Sequence, residues 1–109
     1  SALLPVHYPE FEGAVLTLNL ILETHLPREN TEGIVGSTET LVAKLDHLSA
    51  ENLPDELKER EREVLEKVKA LSGIAHKMKE CCDNNDMTAY REHAAALNTQ
   101  VEAFIKQYI

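Results

Sequence analysis

From Val64 to Phe104 the chain reads VLEKVKALSGIAHKMKECCDNNDMTAYREHAAALNTQVEAF, and the fold follows from this segment. Its centre, Asp83-Asn84-Asn85-Asp86, is a run of short polar side chains that bond to nearby backbone, turn the chain and start helices. After this turn Met87, Tyr90, Ala94, Leu97, Val101, Phe104 and then Tyr108 recur at alternating steps of three and four, a heptad stripe. Before it, Leu57, Val64, Val68, Leu71, Ala75, Met78 and Cys82 form a second stripe, with Glu61 as its one charged member. If the two helices fold back around Asn84-Asn85, facing positions must add to a constant. Met78 facing Tyr90, Ala75 facing Ala94, Leu71 facing Leu97, Val68 facing Val101 and Val64 facing Phe104 all add to 168 or 169. Two independent stripes share one register, which predicts a helical hairpin with its closest approach at Ala75 and Ala94.

Working outward, the hairpin helices are expected at about 53–82 and 86–108. Pro54 suits a first turn, and Asp55, Glu56 and Glu59 suit the positive end of a helix dipole. Gly73 should cost about 1 kcal/mol against Ala inside a helix, and Ser72-Gly73 is a place for a kink. An earlier helix at about 31–49 carries Ile34, Thr38, Leu41, Leu45 and Leu48 on one face, with Gly33 and Gly36 reading as a loose start. The first helix, about 9–26, opens on Pro9 and must stop before Pro27. Its core arc of about 140° holds Phe11, Ala14, Val15, Leu18, Ile21, Leu22, His25 and Leu26. Residues 1–8 read as an N-terminal arm. Short connections favour an all-α, antiparallel up-down-up-down four-helix bundle in one domain, 1–109, with a long C-terminal hairpin. The alternative is a three-helix bundle whose first helix pairs outside the domain.

Composition agrees. Four glycines and four prolines in 109 residues are too few for the turns of a β-sandwich. Net charge is -8, with 11 Lys and Arg against 19 Asp and Glu, and the denser basic run from Lys58 to Lys69 is interleaved with Glu. That balance argues against nucleic acid and anionic lipid as partners, because both are bound by neutralising phosphate charge. The apolar run Ala14–Leu22 falls far short of the roughly 20 residues of a membrane span and lacks the basic lead of a signal peptide. Cys81 and Cys82 are neighbours whose Cα atoms, about 3.8 Å apart, are too close for an ordinary disulfide. A cytoplasmic location is the resulting expectation.

No constellation points to catalysis or to a cofactor. No Gly-rich phosphate loop or nucleophile elbow is present, and Tyr90, Arg91, Glu92 and His93 read as a seam tyrosine followed by a solvated face. No histidine has an acid three residues before it, as a carboxylate-type bundle metal site needs. A zinc site from His76, Glu80, Cys81, Cys82 and His93 can be imagined near one end of the hairpin, but its spacing matches no strong motif and His76 falls on the solvent side. The plainer reading is exposed histidines and small half-buried thiols. His25, alone on a core arc, reads as a hydrogen-bonded boundary residue. Glu56 with Arg60 and Glu63 with Lys67 have the spacing of helix-surface ion pairs.

One feature exceeds what a monomer needs. The first helix also carries Leu16 and Leu20, roughly 150–190° from its core arc, flanked by the small residues Gly13 and Thr17. One helix cannot bury both sides in a plain bundle, and an uncovered pair of leucines is sticky. A second copy of the chain is the expected cover, with Leu16 and Leu20 as anchors, Thr17 and Gly13 beside them, and Leu3 and Leu4 of the arm contributing. The arm folding back on its own helix, or a different protein, are the other covers. The expected function is a non-catalytic interaction module forming a homo-oligomer. The alternatives are an adaptor or chaperone-like bundle that captures a partner helix, and a bundle that binds a metal or small ligand.

Overall fold

A computed structural model of the chain describes residues 6–109, so Leu3 and Leu4 lie outside the described residues. Four helices build the bundle: α1 (Pro9–Leu20), α2 (Thr31–Asp46), α3 (Glu61–Asp83) and α4 (Met87–Tyr108). Each packs beside the next in chain order, and no strand occurs among the described residues. The molecule is elongated, 45 × 22 × 18 Å, as expected when the long hairpin sets the axis.

The hairpin forms as its two stripes require. Val64, Val68, Leu71, Ala75 and Met78 of α3, and Tyr90, Ala94, Leu97, Val101 and Phe104 of α4, are all buried. At the turn, the Asp86 N–H donates to the Cys81 carbonyl at 2.8 Å, Asn85 takes a left-handed backbone with φ of 60°, and the Asp86 carboxylate accepts from the Ala89 N–H at 3.1 Å. Asn tolerates that φ, and Asp satisfies one of the donors that begin a helix. At the far end Glu63 accepts hydrogen bonds from the Gln107 amide at 3.3 Å and from the Tyr108 hydroxyl. That contact lies within two residues of the predicted register. Near the turn the stripe shifts by one position: Cys81 is buried and Cys82 only half-buried. A straight helix of 3.6 residues per turn drifts about 20° per heptad against a seven-residue repeat.

Three boundaries differ from expectation. Helix α3 starts at Glu61, because Asp55–Arg60 winds as a tighter 3-10 helix. Between Leu57 and Val64 no apolar residue faces the core, so packing does not enforce the wider α period there. Helix α2 ends at Asp46, and Ser49 with Asn52 caps a 3-10 turn at Ala50–Asn52: Asn52 Oδ1 accepts from the Ser49 N–H at 3.0 Å, and Ser49 Oγ from the Glu51 N–H at 3.3 Å. The end of the first helix widens into a π turn, Ile21–His25, where the Leu26 N–H reaches the Ile21 carbonyl at 2.9 Å.

That π turn explains Gly33. A Cβ added there would lie 2.4 Å from His25 Nδ1 and 2.7 Å from Asn30 Nδ2. The N-terminus of α2, capped by Asn30 Oδ1 on the Gly33 N–H at 3.1 Å, sits directly against His25. Gly33 therefore serves a close approach rather than a loose start. The expected ion pairs on the α3 side do not form: Arg60 stacks over the Tyr108 ring at 4.8 Å, and Glu63 is taken by Tyr108 and Gln107. Among the described residues the i, i+4 ion pair present is Lys79 with Asp83, at 3.7 Å.

Candidate interaction surface

Helix α1 carries apolar side chains around nearly its whole circumference. Phe11, Ala14 and Leu18 turn inward, and Ile21 continues the face into the π turn. Leu16 is 68% exposed and Leu20 45%, the two largest exposures of any large apolar side chain among the described residues. They lie four residues apart, one turn up the helix, and so share one stripe of its surface.

Gly13 and Thr17 sit at the edge of that stripe but are turned to α2. Thr17 is buried, with its hydroxyl donating to the Gly13 carbonyl at 3.0 Å, and Lys44 of α2 lays its ammonium 3.5 Å from the same carbonyl. The small residues let the α1–α2 crossing close. The large apolar side chains that α1 exposes are thus Leu16 and Leu20, bounded on one side by α2.

On the other side lies α4. α1 meets α4 through rings: Phe11 and Phe104 have centroids 4.5 Å apart, and Phe104 stacks on Tyr108 at 4.8 Å. Those bulky contacts leave a groove of about 280 Å³ lined by Phe11, Glu12, Val15, Leu16, Ile105 and Ile109. Ile105 is itself 37% exposed. Sequence reading passed over Ile105 and Ile109 because each falls outside the α4 stripe and looks like a lone surface residue. Only the position of α1 makes them the floor of a shared surface with Leu16.

The other candidates resolve differently. His76 Nε2 lies 2.8 Å from Asp46 Oδ2 across the α2–α3 seam, and Ser72 Oγ donates to the other oxygen of the same carboxylate. The Ser72 hydrogen bond is the main cause holding the Asp46 carboxyl below its ordinary range, with His76 adding to it. Both groups are about half-exposed, so this is a surface clasp. Among the described residues no three His, Cys, Asp or Glu side chains converge at metal-binding range. Burial pushes both thiols, Cys81 and Cys82, up from the usual range, which keeps them protonated at neutral pH.

Two buried hydroxyls behave oppositely. Tyr90 donates to Thr38 Oγ at 2.6 Å, and Thr38 in turn donates to the Ile34 carbonyl at 2.6 Å, so this α4–α2 link is satisfied. Burial pushes the Tyr90 phenol up to about 12. Tyr8, fully buried at the entry to α1, has a hydroxyl with no hydrogen-bond partner. No helix is long and apolar enough to cross a membrane among the described residues. Comparison of the chain with protein-family models, with curated proteins and with solved structures gives no match.

Proposed function

We propose that the chain is a non-catalytic helical interaction module that pairs with a second copy of itself through the α1 stripe of Leu16 and Leu20. The observation that supports this reading is the exposure of those two leucines, 68% and 45%, one turn apart on a helix whose opposite side is already buried. A twofold pairing brings the same stripe of each copy together, so each leucine finds an apolar partner without any further feature.

The strength follows from the exposed fraction. Fully burying a leucine is worth about 1.5–3 kcal/mol, so the two together contribute roughly 2–3 kcal/mol per copy and about 5 kcal/mol per pair. Association itself costs about 4–15 kcal/mol, with packing of neighbouring side chains offsetting part of it. Pairing is therefore weak and reversible, and suits a module whose association responds to concentration. The two adjacent thiols, neither in a disulfide, suit a reducing compartment such as the cytoplasm.

Sedimentation equilibrium from about 10 μM to 1 mM tests the reading. The unmodified chain should shift from monomer toward dimer, and L16E/L20E should stay monomeric with its helical circular dichroism intact; the lost burial of about 5 kcal/mol per pair corresponds to roughly 4,000-fold in affinity. A chain that is monomeric at every concentration sinks self-pairing. Capture of an amphipathic partner helix on the same stripe would then be the surviving use of the surface.

A further inference from the structure

We infer that the second copy lies parallel to the first, with Glu12 of each chain set against Lys44 of the other. This orientation rests on the self-pairing proposed above.

Two opposite charges stand at nearly one height on the two flanks of the leucine stripe. Glu12 precedes Leu16 by one turn and lines the α1–α4 groove, so it lies on the α4 flank. Its side chain is half-exposed, and its Oε2 accepts from the Tyr8 N–H at 3.3 Å and lies 3.4 Å from His7 Nδ1. Gly13, the next residue and so only about 1.5 Å up the axis, lies on the α2 flank. There the ammonium of Lys44 comes within 3.5 Å of the Gly13 carbonyl, which brings a cation of α2 to the edge of α1. Among the described residues Lys44 forms no ion pair, although Glu10 lines the same groove. Its charge is open to an incoming carboxylate. A third charge separates the possible arrangements. Glu23, seven residues above Leu16, is exposed and returns by helical spacing to the flank of Glu12.

A helix face can meet its own copy about a twofold axis in two ways. With the axis along the helices, both run the same way, heights match, and the α4 flank of one copy meets the α2 flank of the other. Glu12 then faces Lys44 of the other copy, twice in the pair. With the axis across the helices, they run oppositely and each flank meets the same flank of its copy. Setting Leu16 against Leu20 then brings Glu12 within one residue of Glu23 of the other copy, again twice, and repulsion replaces attraction. The leucines are covered in both arrangements, so the charges decide between them. Opposite charges across an interface fix register, and like charges exclude it.

Sedimentation equilibrium over the same concentration range reads the orientation from the sign of a charge change. E12Q and K44Q keep the shapes and remove one charge. Each should weaken association by roughly two- to thirtyfold, because two exposed ion pairs are lost per dimer. An antiparallel pair would respond to E12Q by tightening. E12K and K44E should each associate more weakly still, and their equimolar mixture should return to near the unmodified strength, because every reversed charge then meets its opposite. Circular dichroism shows whether each variant is folded, and the neutral substitutions carry the test for any reversal that is not. Tightened or unchanged association of E12Q, or no recovery in a mixture of folded reversals, overturns the parallel arrangement while the pairing stands. An unmodified chain that never associates removes the pairing, and the orientation with it.

Discussion

Four glycines sit in helices, and for three of them, Gly33, Gly36 and Gly73, the structure predicts that replacement with alanine has opposite consequences. Around Gly36 in α2 and Gly73 in α3 nothing lies within 4 Å of an added Cβ, and no glycine has a positive φ. Ala at either site narrows the unfolded ensemble and improves helix propensity, a gain of about 0.5–1 kcal/mol. At about 4–8 °C per kcal/mol for a domain near this size, each raises the melting temperature by roughly 2–8 °C. Gly33→Ala meets His25 Nδ1 at 2.4 Å, His25 Cε1 at 2.6 Å and Asn30 Nδ2 at 2.7 Å. The obstacles are side chains, so they can move, but not freely. Shifting Asn30 withdraws its cap from the Gly33 N–H, a loss of about 1 kcal/mol, and pushing His25 out of the π turn adds strain of about 1–3 kcal/mol. Set against the propensity gain, Gly33→Ala should destabilise by about 1–3 kcal/mol. Urea unfolding followed by circular dichroism, run at a concentration where the protein is monomeric, measures all three. The pair Gly33→Ala with His25→Ala should recover part of the loss, as expected when two residues share one contact. Equal stabilisation at all three sites would refute the claim that α2 starts against His25.

Tyr8→Phe should leave stability unchanged or raise it by about 1 kcal/mol in the same unfolding assay, because it removes a buried hydroxyl that bonds to nothing. Tyr90→Phe should instead lower it by about 1 kcal/mol, since the Thr38 hydroxyl loses its donor. In alkali, burial holds Tyr90 at about 12, and burial with the Glu63 carboxylate holds Tyr108 there too. Both pKa values are raised above the unfolded value near 10, so their contribution is complete below pH 10 and is lost as pH rises from 10 toward 12; phenolate absorbance should rise with unfolding rather than before it. Asp46 has the opposite sign. Its carboxyl is held low, so the clasp to Ser72 and His76 stabilises above the ordinary carboxylate range and is lost as pH falls through the folded value. Being half-exposed it is worth only about 0.2–1 kcal/mol, and Asp46→Asn should flatten the acid limb of the unfolding profile by that amount.

The hairpin and the four-helix order follow from residue spacing alone. Side chains one heptad apart must share a face, so two stripes such as Val64–Met78 and Tyr90–Phe104 constrain each other through spacing alone. The exposed pair Leu16 and Leu20 was legible for the same reason, since angles around one helix depend on spacing alone. Tertiary structure decided what lies beside that helix. Spacing places Gly13 and Thr17 next to Leu16 and Leu20, yet α2 covers the first two and leaves the others bare. Ile105 and Ile109 become a groove wall only because Phe11 against Phe104 holds α1 away from α4. The π turn at Ile21–His25, against which the start of α2 packs at Gly33, and the 3-10 segment at Asp55–Arg60, where no core residue between Leu57 and Val64 holds the α period, were likewise not legible in the stripes. Local periodicity fixes relative angles within an element, whereas which angle meets water is set by the packing of elements distant in sequence.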